Sequence, residues 1–92
     1  MIETAHELET PLEQAVAAAK SEAERAARLW PRYNSPHEAF AILLEEVDEL
    51  KAHVWKHQRT RDLEAMRREA VQVAAVALRF VSEVCDIERG RR

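Results

Sequence analysis

The chain holds one glycine, three prolines and one cysteine in 92 residues, and aromatic side chains make up only 5% of it. So few turn-forming residues argue against an all-β fold, which needs a tight turn after every short strand. The single cysteine, Cys85, permits no internal disulfide and fits a reducing compartment. No neighbour in sequence activates its thiol, and its apolar helical surroundings predict a small buried hydrophobe. Long hydrophobic runs are also missing: the longest, near Val73 to Leu78, falls far short of a bilayer span. Met1 to Glu9 has neither a basic leader nor an apolar segment, so no signal peptide is expected. Net charge is −3, without the basic footprint of a nucleic-acid binder. These absences predict a soluble cytoplasmic protein that engages neither membrane nor nucleic acid.

What remains is aliphatic and helical. Hydrophobic residues make up 47% of the chain, enough for one small domain over 1–92, with residues 1–9 and 89–92 expected to fray. Thr10-Pro11-Leu12-Glu13 reads as a capping box with proline at the first helical position. The first helix is expected to run to about Trp30, with Leu12, Val16, Ala19, Ala23, Ala26 and Trp30 on one line and Pro31 ending it. Ser35-Pro36-His37-Glu38 repeats the start signal for a second helix, from Pro36 to about His57. Its apolar stripe is Phe40, Leu43, Leu44, Val47, Leu50 and Val54, with Glu46 and Glu49 on the flank shared with Ile42 and His53.

Gln58 to Arg61 is a polar connection that permits only an antiparallel return. The third helix starts near Thr60 or Asp62 and runs to about Glu88. Between Ala70 and Val81 only Gln72 and Arg79 are polar. A helix so apolar around its circumference is buried on most sides, and a chain of this length has too few helices to bury it. The expected fold is therefore all-α: a helical hairpin plus an N-terminal helix, assembling into an oligomeric core like a four-helix bundle. Glu69, Gln72 and Arg79 share one narrow line of the third helix, expected to face the carboxylates of the second.

Those carboxylates carry the chemistry. Glu45-Glu46-Val47-Asp48-Glu49 and Glu69-Ala70-Val71-Gln72 place acids three and four residues apart, hence on one helical face. Acids beside core positions are costly to desolvate unless a positive charge sits among them. An oxygen-only donor set suits Mg²⁺ or Mn²⁺, and no Cys/His set has zinc spacing. A di-iron carboxylate bundle needs two Glu-x-x-His pairs, and the only one here is Glu3 with His6. A divalent ion so held can bridge phosphate oxygens and acidify a water, and a spare carboxylate can take the proton. The competing reading is that such acids form a solvated helix face.

Four basic residues, Lys51, Lys56, Arg59 and Arg61, lie at and after the end of the second helix, placed either to grip phosphates or to complement the helix C-terminus. Trp55 is open between base stacking and packing, whereas Trp30 is expected in the core. His53, four residues past Glu49, is a candidate partner to a metal ligand. His37 is read as structural or base-contacting, and Asn34 and Ser35 as turn and cap.

The stretch from His37 to Leu50, with Arg68 to Phe80, resembles the MazG-like family of all-α nucleoside triphosphate pyrophosphohydrolases. The family motif is Glu-Glu-x-x-Glu followed, after a spacer, by Glu-x-x-Asp. Glu45, Glu46 and Glu49 match the first half and Glu69 the start of the second, while Gln72 stands where the family has Asp. The resemblance implies Mg²⁺- or Mn²⁺-dependent hydrolysis of (deoxy)nucleoside triphosphates to monophosphate and pyrophosphate, in a homodimer or homotetramer with a dNTP as the expected substrate. By position, Glu46, Glu49 and Glu69 are metal ligands and Glu45 is a ligand or the base for the water. Gln72 is a neutral ligand that weakens one metal position. Fewer ions, a different acid or lower activity would each accommodate it. Two alternatives stand beside the enzyme: a nucleotide-binding bundle without turnover, and a structural oligomer.

Overall fold

The computed structural model describes residues 9–87, and every element among them is helical. The Glu3/His6 pair, the expected end of the third helix at Glu88, and the termini expected to fray (except Glu9) lie outside the described residues.

Helix α1 spans Pro11–Leu29, and its start is the box read from sequence. The Thr10 hydroxyl accepts from the Glu13 N–H at 3.1 Å, and the Glu13 carboxylate accepts from the Thr10 N–H at 3.0 Å. The helix stops one residue short of Trp30, because a residue before proline is forced out of the α region and Trp30 is extended at φ −125°, ψ 146°. Helix α2 spans Pro36–Val54, capped by the Ser35 hydroxyl accepting from the Glu38 N–H. The return leg of that box is diverted: the Glu38 carboxylate instead accepts from both the backbone and side-chain N–H groups of Asn34, each at 3.0 Å.

Helix α2 ends three residues before the expected His57. His57 is itself a cap there: its Nδ1 accepts from the Arg59 N–H at 3.1 Å and its carbonyl from the Thr60 hydroxyl at 3.0 Å. These local bonds outcompete another helical turn and form a 3₁₀ turn, Gln58–Thr60. Helix α3, Leu63–Arg79, starts on the Asp62 carboxylate, which accepts from the Glu64 and Ala65 N–H groups. It continues into a π-helical segment, Phe80–Asp86.

Helix α3 packs against both α1 and α2, which make no contact with each other. The product is a plate, 48 × 43 × 20 Å, with a radius of gyration of 15.8 Å. A compact chain of this length would measure about 12 Å. Among the described residues the buried apolar positions are Ala19, Ala39, Ala65, Ala75, Val76 and Val84, all small, so the helices approach closely but bury little area. The larger apolar side chains Leu12, Val16, Phe40, Leu44, Val47, Leu78 and Val81 stay exposed, as does Trp30, which was expected in the core. Trp30 lies beyond the last helical turn, and its extended backbone takes it off the line that Ala19 and Ala26 follow. Cys85 is exposed, against expectation. The i→i+5 bonding of the π segment adds a residue to the turn, and Val84 takes the inward position instead.

The one buried charge among the described residues is Arg79. Its guanidinium donates to both oxygens of Glu83, at 2.6 and 3.2 Å, and to the Pro31 carbonyl at 3.1 Å. It also sits 4.5 Å from the centroid of the Tyr33 ring, whose backbone N–H donates to Glu83 at 3.2 Å. The sequence placed Arg79 opposite the α2 carboxylates; it serves instead to fasten the α1–α2 linker to α3. Replacing Arg79 by Met leaves the largely shielded Glu83 charge uncompensated, and we expect a loss of about 3 kcal/mol in urea unfolding. Adding Glu83→Gln in the same chain should recover part of it.

Candidate metal centre

Packing of α2 on α3 brings together Glu46 and Glu49, one turn apart on α2, and Glu69 on α3. One carboxylate oxygen from each lies within 4.8 Å of the others. Opposite ligands of Mg²⁺ stand about 4.2 Å apart, so small side-chain rotations would close this set on a single ion. The donors are all hard oxygens, which fits Mg²⁺ or Mn²⁺. Glu46 and Glu69 are half-buried and Glu49 is exposed.

The electrostatics of the group are unfavourable by themselves. Burial, the charge of Glu49 and its hydrogen bond, and the charges of Glu69 and Glu45 hold the Glu46 carboxyl above its ordinary range. Glu69 is also raised, by desolvation first and then by Glu49, while nearby His53 and the Arg68 guanidinium pull the other way. His53, the candidate partner residue, is therefore close enough to act on the cluster, and its Nδ1 is shielded from solvent without a hydrogen-bond partner. Glu45 is exposed and stands outside the converging trio, and its charge helps raise Glu46.

Gln72, one turn past Glu69, is half-buried and turned toward α1. Its amide and Arg25 hold the Glu22 carboxylate below its ordinary range, Arg25 being the stronger influence through bonds of 2.9 and 2.5 Å. A cavity of about 430 Å³ opens here between α1, the linker, α2 and α3. Arg25, Arg32, Tyr33, Glu46, Gln72 and Arg79 are among its walls, so Glu46 belongs to both the cavity and the acidic trio. Its volume is that of a small-molecule site. Tyr33 is half-buried; its hydroxyl is shielded from solvent and has no hydrogen-bond partner, and burial raises its pKa, keeping it a neutral phenol.

Lys51, Lys56, Arg59 and Arg61 are all exposed, and none of them lines the cavity. They lie past Glu49 toward the hairpin end, with the trio between them and the cavity. The Lys51 ammonium sits 5.8 Å from the Trp55 ring centroid, and that indole is exposed. Trp30 is exposed at the cavity wall, His37 is exposed, and Ser35 and Asn34 serve the α2 start as read from sequence.

Sequence reasoning missed Glu22 and Tyr33. Glu22 had a weak signal in its i, i+3 spacing to Arg25. Tyr33, the only tyrosine, had none beyond its place between two prolines. No family model matches the chain, and neither a curated protein nor a solved structure matches it.

The raised carboxyls give a signed prediction. Folded Glu46 and Glu69 bind protons more tightly than the unfolded chain, whose ordinary value is 4.5. Their contribution to stability is therefore best at acid pH and declines as pH rises from there through the raised values. Metal-free Glu46→Gln should be more stable than wild type at pH 7, by about 0.2–0.5 kcal/mol per relieved like-charge pair. That advantage should vanish toward pH 4.5 in thermal melts followed by circular dichroism. Mn²⁺ at pH 7 should raise the wild-type midpoint and leave the variant nearly unmoved.

Proposed function

We propose that this chain is a Mg²⁺- or Mn²⁺-dependent pyrophosphohydrolase of nucleoside triphosphates, MazG-like in type. One observation carries the reading: three carboxylates from two helices converge beside a cavity of ligand size. Glu46, Glu49 and Glu69 hold the ion, and Gln72 offers a neutral oxygen beside them. A divalent ion bound there neutralises the phosphate chain and acidifies a water. Glu45, exposed and outside the trio, accepts the proton of the attacking water. Water adds at the α-phosphorus, the bond to the bridging oxygen breaks, and pyrophosphate leaves. The cavity takes the nucleoside, probed by Trp30 and Tyr33. Lys51, Lys56, Arg59 and Arg61 meet the outer phosphates from the opposite side, with Trp55 covering the Lys51 stem.

The same reading includes self-association. Exposed Leu12, Val16, Phe40, Leu44 and Val47 line faces that a second copy would bury, converting the plate into a bundle-like dimer or tetramer. A nucleotide-binding bundle without turnover is a second reading, favoured by Gln72, whose amide carries no charge and is drawn toward Glu22.

Purified protein with each dNTP and Mg²⁺ or Mn²⁺ should release pyrophosphate, not orthophosphate. Glu49→Gln should lower turnover on the order of 100-fold, the scale of losing one charge stabiliser in the transition state. Binding of dNTP and metal with no pyrophosphate released would favour the second reading; no metal response at all would overturn both. Gln72→Asp should tighten Mn²⁺ binding about 10-fold in calorimetry.

A further inference from the structure

We propose that Arg32 is the cation that grips the phosphate attached to the nucleoside. The assignment rests on the nucleotide reading above and adds a substrate-holding residue to the same site.

Three observations lead there. The first is charge. Arg25, Arg32 and Arg79 all line the cavity. Arg25 is paired with Glu22, and Arg79 with Glu83. Among the described residues no hydrogen bond or ion pair engages Arg32, so its charge is unspent.

The second is the main chain. The Pro31 carbonyl and the Tyr33 N–H belong to the two peptide groups that flank Arg32. The carbonyl accepts from the Arg79 guanidinium at 3.1 Å, and the N–H donates to Glu83 at 3.2 Å. One shielded ion pair therefore holds both peptide groups. The Asn34 N–H beyond them is tied to Glu38 at 3.0 Å. The backbone of Arg32 is fixed while its head is free, so binding has little main chain left to order.

The third is place. Glu46 lines the same cavity and belongs to the acidic trio. The cavity lies on the nucleoside side of the trio, and the basic hairpin end lies on the other. A triphosphate laid across the ion thus offers its α-phosphate to Arg32 and its β- and γ-phosphates to the hairpin end. A phosphate beside Glu46 is repelled unless cations answer. The ion answers from one side and Arg32 from the other, with a planar fork that suits two phosphate oxygens at once.

Calorimetry of wild type and Arg32→Gln in Mg²⁺ tests this with three kinds of probe: the four deoxynucleosides, their 5′-monophosphates, and pyrophosphate. Wild type should bind a monophosphate, and the variant should lose about tenfold of that affinity, the scale of one charge-assisted contact. Nucleosides and pyrophosphate should bind both proteins alike. Arg32→Lys should recover part of the loss, since it keeps the charge but not the fork. The metal-free melting midpoint should not move. With dNTPs, Arg32→Gln should lower kcat on the order of 100-fold. An unchanged monophosphate affinity, an equal loss on the nucleosides, a loss on pyrophosphate instead, a fallen midpoint, or a wild type that binds no monophosphate overturns the assignment. Monophosphate binding that depends on Arg32, with no pyrophosphate released from any dNTP, sinks the hydrolase reading and leaves the Arg32 contact standing.

Discussion

The rest of the structure depends on one buried cation. Arg79 lies on a helix that is otherwise apolar from Ala70 to Val81 except for Gln72, and it is neutralised by Glu83 one turn further on. A guanidinium suits the position because its planar fork supplies two parallel bonds to a carboxylate, a further donor and an aromatic-facing surface at once. All three are used, on Glu83, the Pro31 carbonyl and Tyr33. The linker between α1 and α2 is thereby fastened to α3. Since α1 and α2 do not touch each other, this fastening, together with the packing of each helix on α3, sets their separation. The cavity is the gap that results.

The acidic trio is the electrostatic converse. Arg79 and Glu83 satisfy each other, so the raised pKa of Arg79 reflects stabilisation of its charge. Glu46 and Glu69 are raised because their charges are not satisfied. Glu69 and Arg79 sit between two and three helical turns apart on α3. One arrangement holds the scaffold together and the other stores repulsion.

Much of the fold was legible in the sequence because helix starts are encoded locally. Thr10/Glu13 and Ser35/Glu38 each announce a cap within a few residues, and both caps form. The same locality put Glu46, Glu49 and Glu69 on facing helices, and they converge. Helix ends were unevenly legible: Pro31 marks the first to within a residue, whereas the end near His57 is set by a histidine-centred turn beyond the helical pattern. Burial was least legible. Periodicity ranks the faces of a helix but cannot say whether a single chain covers them, so Phe40, Leu44 and Val47 read as core and stand exposed. Cys85 was misplaced because a π segment changes the phase of everything after Arg79. Tyr33 had no local signal at all: its importance comes from Arg79 and Glu83, some fifty residues away.

The layout of three helices with only two seams has an evolutionary consequence. Changes on α1 and changes on α2 meet no common partner except α3, and substitutions without shared neighbours act nearly independently. The wall contributed by α1 can therefore drift with little effect on the acids of α2. A lineage built on this plan could revise one seam while leaving the other as it stands.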